Sequence, residues 1–599
     1  MVSAVCRNDN CNSKFFDQGL IMLTHARGPL TALASALLLV ACGGGGGGGG
    51  SSGGGSTSSV PGAPTNLVVA AGNATATVSF TAPLNNGSSA ILDYTATCAA
   101  SGSSRTATGA GSPLTVTGLT NGTSYNCTVT ARNAVGNSEA SAGASVTPTA
   151  PVTSCSATDR KNWVVQQLRE WYLYPETLPS TVNVDDYATV DALISFMTAT
   201  ARAQGKDRNF TYVTSIVEEN AFFNSGATAG FGIRLFSDTA ARRVFITEAF
   251  ENAPALAAGI DRRDELLGVG TTTANIRSVA DIIAAEGASG VTNALGPNTA
   301  GTTRVLRVSG PSGTRDLTVA KADYSIEPVS PRYGGVILQD GSKKIGYINL
   351  RTFISSANTR LREEFLKFRN AGITEVIVDF RYNGGGLVST GELMGDLLGG
   401  NRSSGQIFSQ LTFRPEKSSN NSIKYFAAQA EAVSPTKIAF IGTRSTASAS
   451  ELVINGFIPY FNANLALIGD NTFGKPVGQI AVDRSACDDR LRVLAFTTRN
   501  SANSDAYFNG LAETVKASCR AADDVTQPLG NANEASTRQA IDYLAGKSCT
   551  AIPVSAGIAA LTGRKQAAAA ALPETDTLEL EPLMPDHPTV AQREMPGLF

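Results

Sequence analysis

Four kinds of hydrophobic patterning follow one another along the chain. Between residues 60 and 149, short apolar and polar runs alternate and are broken by turn residues: Leu67-Val68-Val69, Thr75 to Phe80, Tyr94 to Cys98, Leu114-Thr115-Val116 and Tyr125 to Ala131. A period of two sends successive side chains to opposite faces, so these runs predict the strands of a β-sandwich. From residue 155 the period changes. Trp163, Val164, Leu168, Trp171 and Tyr172 fall on one helical face, Pro175 and Pro179 stop that helix, and Leu193, Phe196 and Met197 mark another. This predicts a small helical subdomain over 155–222. Residues 226–322 return to β-type runs, with a long Gly/Ala/Thr-rich loop at 271–302. From 343, buried-type strands (344–350, 376–380, 437–442 and 465–469) alternate with helices. One helix is marked by Leu361, Phe365 and Phe368 and ended by Gly372; another opens near Ser450. Strand–helix alternation predicts a layered α/β core over 335–550. One more helix is expected past Arg538, and residues 553–599, rich in Ala and Pro, read as a disordered tail.

Composition changes this picture little. At 599 residues, the chain is long enough for about four domains. The net charge of −2 provides no basic face, so nucleic acid is not an expected partner. Histidine matters more. The chain has two, His25 and His587, so nothing between residues 26 and 586 can serve as an imidazole base or ligand. A Ser-His-Asp triad is excluded by inventory, and neither a metal site nor a cofactor is expected.

The N-terminus reads as an address. Leu30 to Ala41 is apolar or small and too short for a comfortable membrane span. Leu39-Val40-Ala41-Cys42 resembles a bacterial lipobox, which makes 1–41 a leader and Cys42 a lipid-bearing residue. The Gly/Ser run that follows makes 42–59 a flexible tether. Met22 would begin a signal of ordinary length. The resemblance implies anchoring in the bacterial cell envelope. Gly43 after Cys42 is not an Asp-type retention cue, which points to the outer membrane. Six cysteines remain beyond the leader: Cys98, Cys127, Cys155, Cys487, Cys519 and Cys549. An even count in an exported chain predicts disulfides.

Two modules carry resemblances of their own. Pro61-x-x-Pro64-x-x-Leu67 and Leu119-x-Asn121-Gly122-Thr123-x-Tyr125 resemble a fibronectin type III domain over 60–149, with Phe80 where that fold usually has tryptophan. The resemblance makes Tyr125 a tyrosine corner and puts Cys98 and Cys127 on neighbouring strands, where they could pair. No residue of this module carries chemistry, and it reads as a spacer. Residues 226–322 resemble a PDZ domain: Gly230-Phe231-Gly232-Ile233, then 244–247, Ala253-Pro254-Ala255, Ala258-Gly259-Ile260 and 264–269. The first four residues would be the loop whose backbone N–H groups take a peptide end while the peptide adds a strand. Arg263 stands where such domains usually have glycine.

The candidate chemistry lies between Arg444 and Gln479. Thr446-Ala447-Ser448-Ala449-Ser450-Glu451 follows a buried-type strand and opens a helix. A nucleophile at that junction is favoured by the helix N-terminus. Ser450 reads as a helix-start residue. Lys475 lies in Thr472-Phe473-Gly474-Lys475-Pro476-Val477-Gly478, among glycines and apolar residues. Such surroundings disfavour the ammonium and suit a lysine base; the other local reading is a lysine exposed on a Gly/Pro loop. Together with Asp379-x-Arg381-x-Asn383-x-Gly385-Gly386, these segments resemble the C-terminal processing (tail-specific) proteases, peptidase family S41. The resemblance covers roughly 155–550 and implies a core related to the crotonase and Clp-protease fold. It also implies Ser448 as nucleophile, Lys475 as general base, Gln479 as the group orienting the lysine, and the N–H groups of Ala449 and Gly385 as oxyanion donors. The 27 positions from Ser448 to Lys475 place an expected insertion in a loop at 459–464. The expected partners are protein or peptide substrates and the bilayer through Cys42, with an adaptor protein left open. The alternative is a catalytically silent, peptide- or surface-binding lipoprotein with the same core.

Overall fold

The computed structural model describes residues 3–6, 58–149, 155–553 and 580–599. The rest of the leader, Cys42, nearly all of the tether, residues 150–154 and residues 554–579 lie outside the described residues. The chain divides into two compact units, Ser13–Ser154 and the remainder.

In the first unit, Thr65–Gly72, Thr75–Thr81 and Leu114–Thr117 form one sheet. Ser103–Gly109, Asp93–Ala100, Tyr125–Arg132 and Ala144–Val146 form the other. The alternating positions Ala76, Val78, Tyr94, Ala96, Leu114, Val116, Tyr125 and Val129 make the core between them. Cys98 faces Cys127 directly across two neighbouring strands and is bonded to it. The Thr120 N–H donates to the Tyr125 hydroxyl at 3.0 Å, closing the corner expected of that tyrosine.

The second unit is built around a six-stranded sheet. Its order is Gly335–Asp340, Lys343–Asn349, Glu375–Asp379, Lys437–Gly442, Leu465–Gly469, Ala517–Arg520. All pairs are parallel except the first. Both faces are covered, which is why the strands read as continuous apolar runs. Val376, Val378, Ile438, Phe440, Leu465 and Leu467 face the main core with helices Ala357–Asn370, Val388–Leu398 and Ala449–Phe461. Ile377, Ala439, Ile441, Ala466 and Ile468 face helix Ala535–Leu544 instead. A second sheet is centred on Val477–Arg484 and Asp489–Arg499.

Several expectations are corrected. The helical segment after 155 shares one continuous core with the α/β layers: Trp163, Val164, Leu168, Leu193 and Met197 pack in the same cluster as Phe365 and Val453. It also enters the second sheet, where Tyr212–Ser215 pairs with 489–492, and the Cys155–Cys487 disulfide ties it there. Cys519 is bonded to Cys549. Residues 271–302 are not a plain loop, because Val279–Leu295 is helical on either side of a break at Gly287 and buries Val279, Ile282, Val291 and Leu295. The stretch 459–464 is mostly not a loop either. The helix runs through Pro459 to Phe461 before a single 3-10 turn. Of the expected disordered tail, residues 580–599 are ordered: Glu581–Pro582 is a strand and Val590–Glu594 a helix.

The main path of the 226–322 sheet runs through five antiparallel strands, Gly313–Ala320, Thr303–Gly310, Glu265–Gly270, Arg243–Ala249 and Ile233–Asp238, with short Arg277–Ser278 paired off it and the 279–295 helix packed against it. Arg263 has φ 90, so the backbone there does adopt the conformation that favours glycine. The module meets the α/β core through buried ions. Arg262 donates to the Tyr382 hydroxyl at 2.9 Å and to Asp523 at 2.9 Å; Arg351 bridges Glu248 and Glu251 at 2.7 Å each. At the centre, Arg381 is fully buried, with its Nε 2.9 Å from Asp379 and a forked pair of 2.9 Å bonds to Glu534. Burial pushes the Glu534 carboxyl up, but the guanidinium overrides it and holds it down to about 2. Replacing one partner leaves the others buried without a counter-charge. Arg381→Met is therefore expected to lower unfolding stability by about 3–5 kcal/mol, read as a fall in the urea midpoint.

Candidate active site

Three segments that are distant in sequence meet at the N-terminus of helix Ala449–Phe461: the 443–451 turn, the 379–386 turn and the 470–479 loop. Ser448 is the residue before that helix. It is 1% exposed, with φ 58 and ψ −113. A non-glycine residue in that region is strained by about 1–3 kcal/mol and stays there only when its surroundings impose it. The imposing contacts are on both sides. Thr446 Oγ1 donates to the Phe380 carbonyl at 2.9 Å, and the Ala447 N–H donates to the Asn383 carbonyl at 3.0 Å. The Ser450 hydroxyl donates to that same carbonyl at 3.2 Å. Ser450 thus fastens the nucleophile turn to the 379–386 turn, a different task from the helix-start role expected of it. The Ser448 Oγ has no hydrogen-bond partner.

Lys475 is 4% exposed. Its Nζ donates to Gln479 Oε1 at 3.3 Å and stands 4.6 Å from the centre of the Phe210 ring. Gln479 is fully buried in strand Val477–Arg484, and its Nε2 donates to the Phe210 carbonyl, which fixes the amide so that its oxygen faces the lysine. Burial lowers the Lys475 pKa from 10.5 to about 8; Glu594, Asp207 and Glu451 pull the other way. The structure therefore brings Lys475 and Gln479 into contact and places Ser448 on the adjoining turn. It does not pair Ser448 with Lys475 by a hydrogen bond.

The link between the two is Glu451. This carboxylate is fully buried. It accepts from the Ser448 N–H at 3.0 Å, the Lys475 N–H at 2.8 Å, the Gly474 N–H at 2.7 Å and Thr472 Oγ1 at 2.6 Å. Burial raises its pKa; the four donors oppose the rise without cancelling it. Sequence reasoning quoted Glu451 only as part of a motif. The available signal was its position three residues after Ser448, the spacing of a capping box.

The expected Gly385 donor is corrected. Its N–H is spent on Asn383 Oδ1 at 2.9 Å, because the asparagine side chain folds back over its own turn. The Gly384 N–H donates instead to a carbonyl oxygen from outside the turn, that of Glu594, at 2.9 Å. Ala449, the other expected donor, is buried at the first helical position, where backbone N–H groups lack intrahelical acceptors. In the 226–322 module, Gly230, Phe231, Gly232 and Ile233 form the loop entering the first strand. The N–H groups of Gly232 and Ile233 both point to the Phe599 carbonyl oxygen, at 2.8 and 3.2 Å. Phe210, Asn383, Gly384 and the tail were not singled out from the sequence as site residues. Among the described residues, no group of His, Cys, Asp and Glu could hold a metal ion, and no helix is long and apolar enough to cross a membrane.

Glu451→Gln places an NH2 group against N–H donors and strands at least one of them in a buried position. The expected result is a stability loss of about 1–3 kcal/mol, measured by thermal melting. Any activity at the Ser448 site is expected to fall further than the melting shift alone explains.

Comparison with known proteins follows the same lines. Residues 344–516 match the model of peptidase family S41, residues 159–212 that of the peptidase S41 N-terminal domain, and residues 62–147 that of the fibronectin type III domain. The chain is 28% identical over 273 residues to "C-terminal processing peptidase, chloroplastic" of Tetradesmus obliquus, covering 44% of this chain and 54% of that protein. It is 25% identical over 331 residues to "Carboxy-terminal processing protease CtpA" of Bacillus subtilis (strain 168), covering 55% and 62%. The chain thus spans about half the length of the curated relatives it matches. A crystal structure assigned to the S41 proteases, from Bacteroides fragilis NCTC 9343, superposes with a TM-score of 0.51 at 20% identity, covering 64% of this chain and 97% of that one. That likeness speaks for the fold. These matches fall on the segments that build the site: residues 159–212 and 344–516 are peptidase family S41 segments, and residues 62–147 are a fibronectin type III domain.

Proposed function

We propose that this chain is a serine endopeptidase that works with a Ser448/Lys475 dyad and cleaves envelope proteins or their C-terminal tails. The observation that carries the reading is Lys475: a buried amine with its pKa lowered to about 8 and aimed by a fixed glutamine. An amine buried without a carboxylate in hydrogen-bond contact is readily neutral and so can accept a proton. This one has an amide oxygen and an aromatic face.

In the reaction, neutral Nζ takes the proton from Ser448 Oγ, and Oγ attacks the scissile carbonyl carbon. The oxyanion gathers between the Ala449 and Gly384 N–H groups, the latter replacing Gly385. The C–N bond breaks, the amine leaves with the proton held by Lys475, and water then releases the acyl group from Ser448 by the reverse transfer. Gln479 keeps Nζ on its line throughout. The 226–322 module acts as a PDZ-like carboxylate-binding domain, its Gly230–Ile233 loop offering two N–H groups to a peptide end. Cys42 anchors the chain to the outer membrane by its lipid.

The test compares cleavage of casein by the wild type, Ser448→Ala and Lys475→Ala. Each substitution is expected to lower the rate by at least about 10³-fold. Equal cleavage by the mutants, or none by a folded wild type, would favour the silent binding protein. The base must be neutral. Below the Lys475 pKa the amine is charged, so the rate is expected to rise through about pH 8 and level off above it. A profile flat from pH 6 to 9.5, with chemistry rate-limiting, would sink the lysine assignment.

A further inference from the structure

Residues 580–599 lie along one edge of the 226–322 sheet and against the 379–386 turn. Glu581–Pro582 pairs antiparallel with Phe236 and Ser237 on the open edge of the 226–322 sheet. Further along that edge, the Leu235 N–H donates to the Gly597 carbonyl at 2.8 Å, and the Phe599 N–H donates to the Ile233 carbonyl at 2.9 Å. The Phe599 carbonyl takes the two loop N–H groups described above. The Phe599 side chain is 2% exposed and lies in the module's own core cluster with Phe231, Ile233, Ile282 and Leu583. This is strand addition with a side chain filling an apolar pocket. Between these contacts, Val590, Ala591, Met595 and Leu598 bury against Phe222, Phe250, Tyr324 and Ile354. Val590 and Ala591 belong to the helix that ends at Glu594, whose carbonyl accepts from the Gly384 N–H.

The fit demands particular residues. Gly597 has φ 84, and a Cβ there would lie 2.6 Å from the Leu235 carbonyl oxygen. A Cβ on Gly384 would lie 2.8 Å from the Glu594 carbonyl oxygen. Buried Arg234 reaches across both regions, donating to the Tyr382 carbonyl at 2.7 Å and to the Pro596 carbonyl at 3.2 Å.

We propose that residues 580–599 are an intramolecular plug: Pro596-Gly597-Leu598-Phe599 fills the peptide groove while Glu594 covers the Gly384 donor, so the chain holds itself closed. The ligand class of the groove follows from the occupant. It takes an extended segment that puts a large apolar side chain into the pocket with a glycine two positions before it, and a substrate segment of that kind displaces the plug. The control of cleavage rests on the peptidase reading; the occupancy of the groove does not. A ligand tethered in cis acts at an effective concentration on the order of millimolar, so even a groove of about micromolar affinity would be almost wholly filled.

The experiment uses the full chain, a chain lacking 580–599 and full-length Gly597→Val, each checked by circular dichroism. The probe is a fluorescein-labelled synthetic peptide of residues 588–599. The peptide is expected to bind the shortened chain and Gly597→Val at least about tenfold more tightly than the full chain. A probe that itself carries Gly597→Val is expected not to bind. Casein cleavage is expected to rise by at least about tenfold in both altered chains, and the unlabelled peptide to suppress it again. Equal binding to all three chains, or none to any, overturns the plug. So does the expected binding pattern with unchanged cleavage rates, because the occupied groove then does not close the site. If no chain cleaves, the peptidase reading fails and the binding comparison alone decides occupancy. If the shortened chain does not fold, Gly597→Val gives both readouts.

Discussion

A single buried carboxylate holds the candidate dyad together. Ser448 and Lys475 come from different segments, one at a helix start and the other on a loop beside the second sheet. Nothing covalent sets their separation except a long excursion through that helix and a strand. Glu451 spans the gap. One of its donors is the serine's own N–H; the other three belong to the lysine loop. Taking a carboxylate fully out of water costs several kcal/mol, and only a complete set of donors makes it tolerable. The arrangement is therefore all or nothing. If the loop shifts, the carboxylate loses donors it cannot replace, so the loop is held where the lysine is useful.

The same logic operates one layer out. The 379–386 turn carries the Gly384 donor, and its shape rests on Arg381 held by Asp379 and Glu534. Tyr382, in the middle of that turn, takes Arg234 on its carbonyl and Arg262 on its hydroxyl, both from the 226–322 module. One residue thus lies between the sheet edge that carries residues 581–582 and 597–599 and the turn that carries the Gly384 N–H. Buried ion pairs of this kind add little net stability, but they set registry. Here the registry concerns how the 230–233 loop sits relative to the 379–386 turn.

The tail shows how composition can mislead. Residues 553–599 are rich in Ala and Pro, and segments of that kind bury too little apolar surface to offset chain entropy by themselves. Residues 580–599 avoid the problem by borrowing a partner. Leu583, Met595, Leu598 and Phe599 are all 2% exposed or less, but the surface that covers them belongs to strands and helices formed hundreds of positions earlier. No window of the tail contains that surface.

Much of the architecture was legible because local period determines local structure. The alternation at 60–149, the continuous apolar strands of the core and the helical stripe at Trp163–Tyr172 each follow from which faces of an element are covered. The histidine inventory, a property of composition alone, removed the commonest base and directed attention to Lys475. The small residues at 446–450, after a buried-type strand, marked a candidate nucleophile turn. What the sequence could not determine is every feature that depends on two distant segments meeting. Local pattern read the helical segment as a subdomain, whereas long-range pairing of 212–215 with 489–492 made it part of the core and brought Phe210 to the lysine. The resemblance implied Gly385 as a donor, but a side chain folding back from Asn383 occupies that N–H. Glu451 looked like a helix-start acid; only its contact with a loop 24 positions away makes it the brace. Periodicity is a property of neighbours along the chain, whereas the state of a buried polar group depends on which partners folding brings to it.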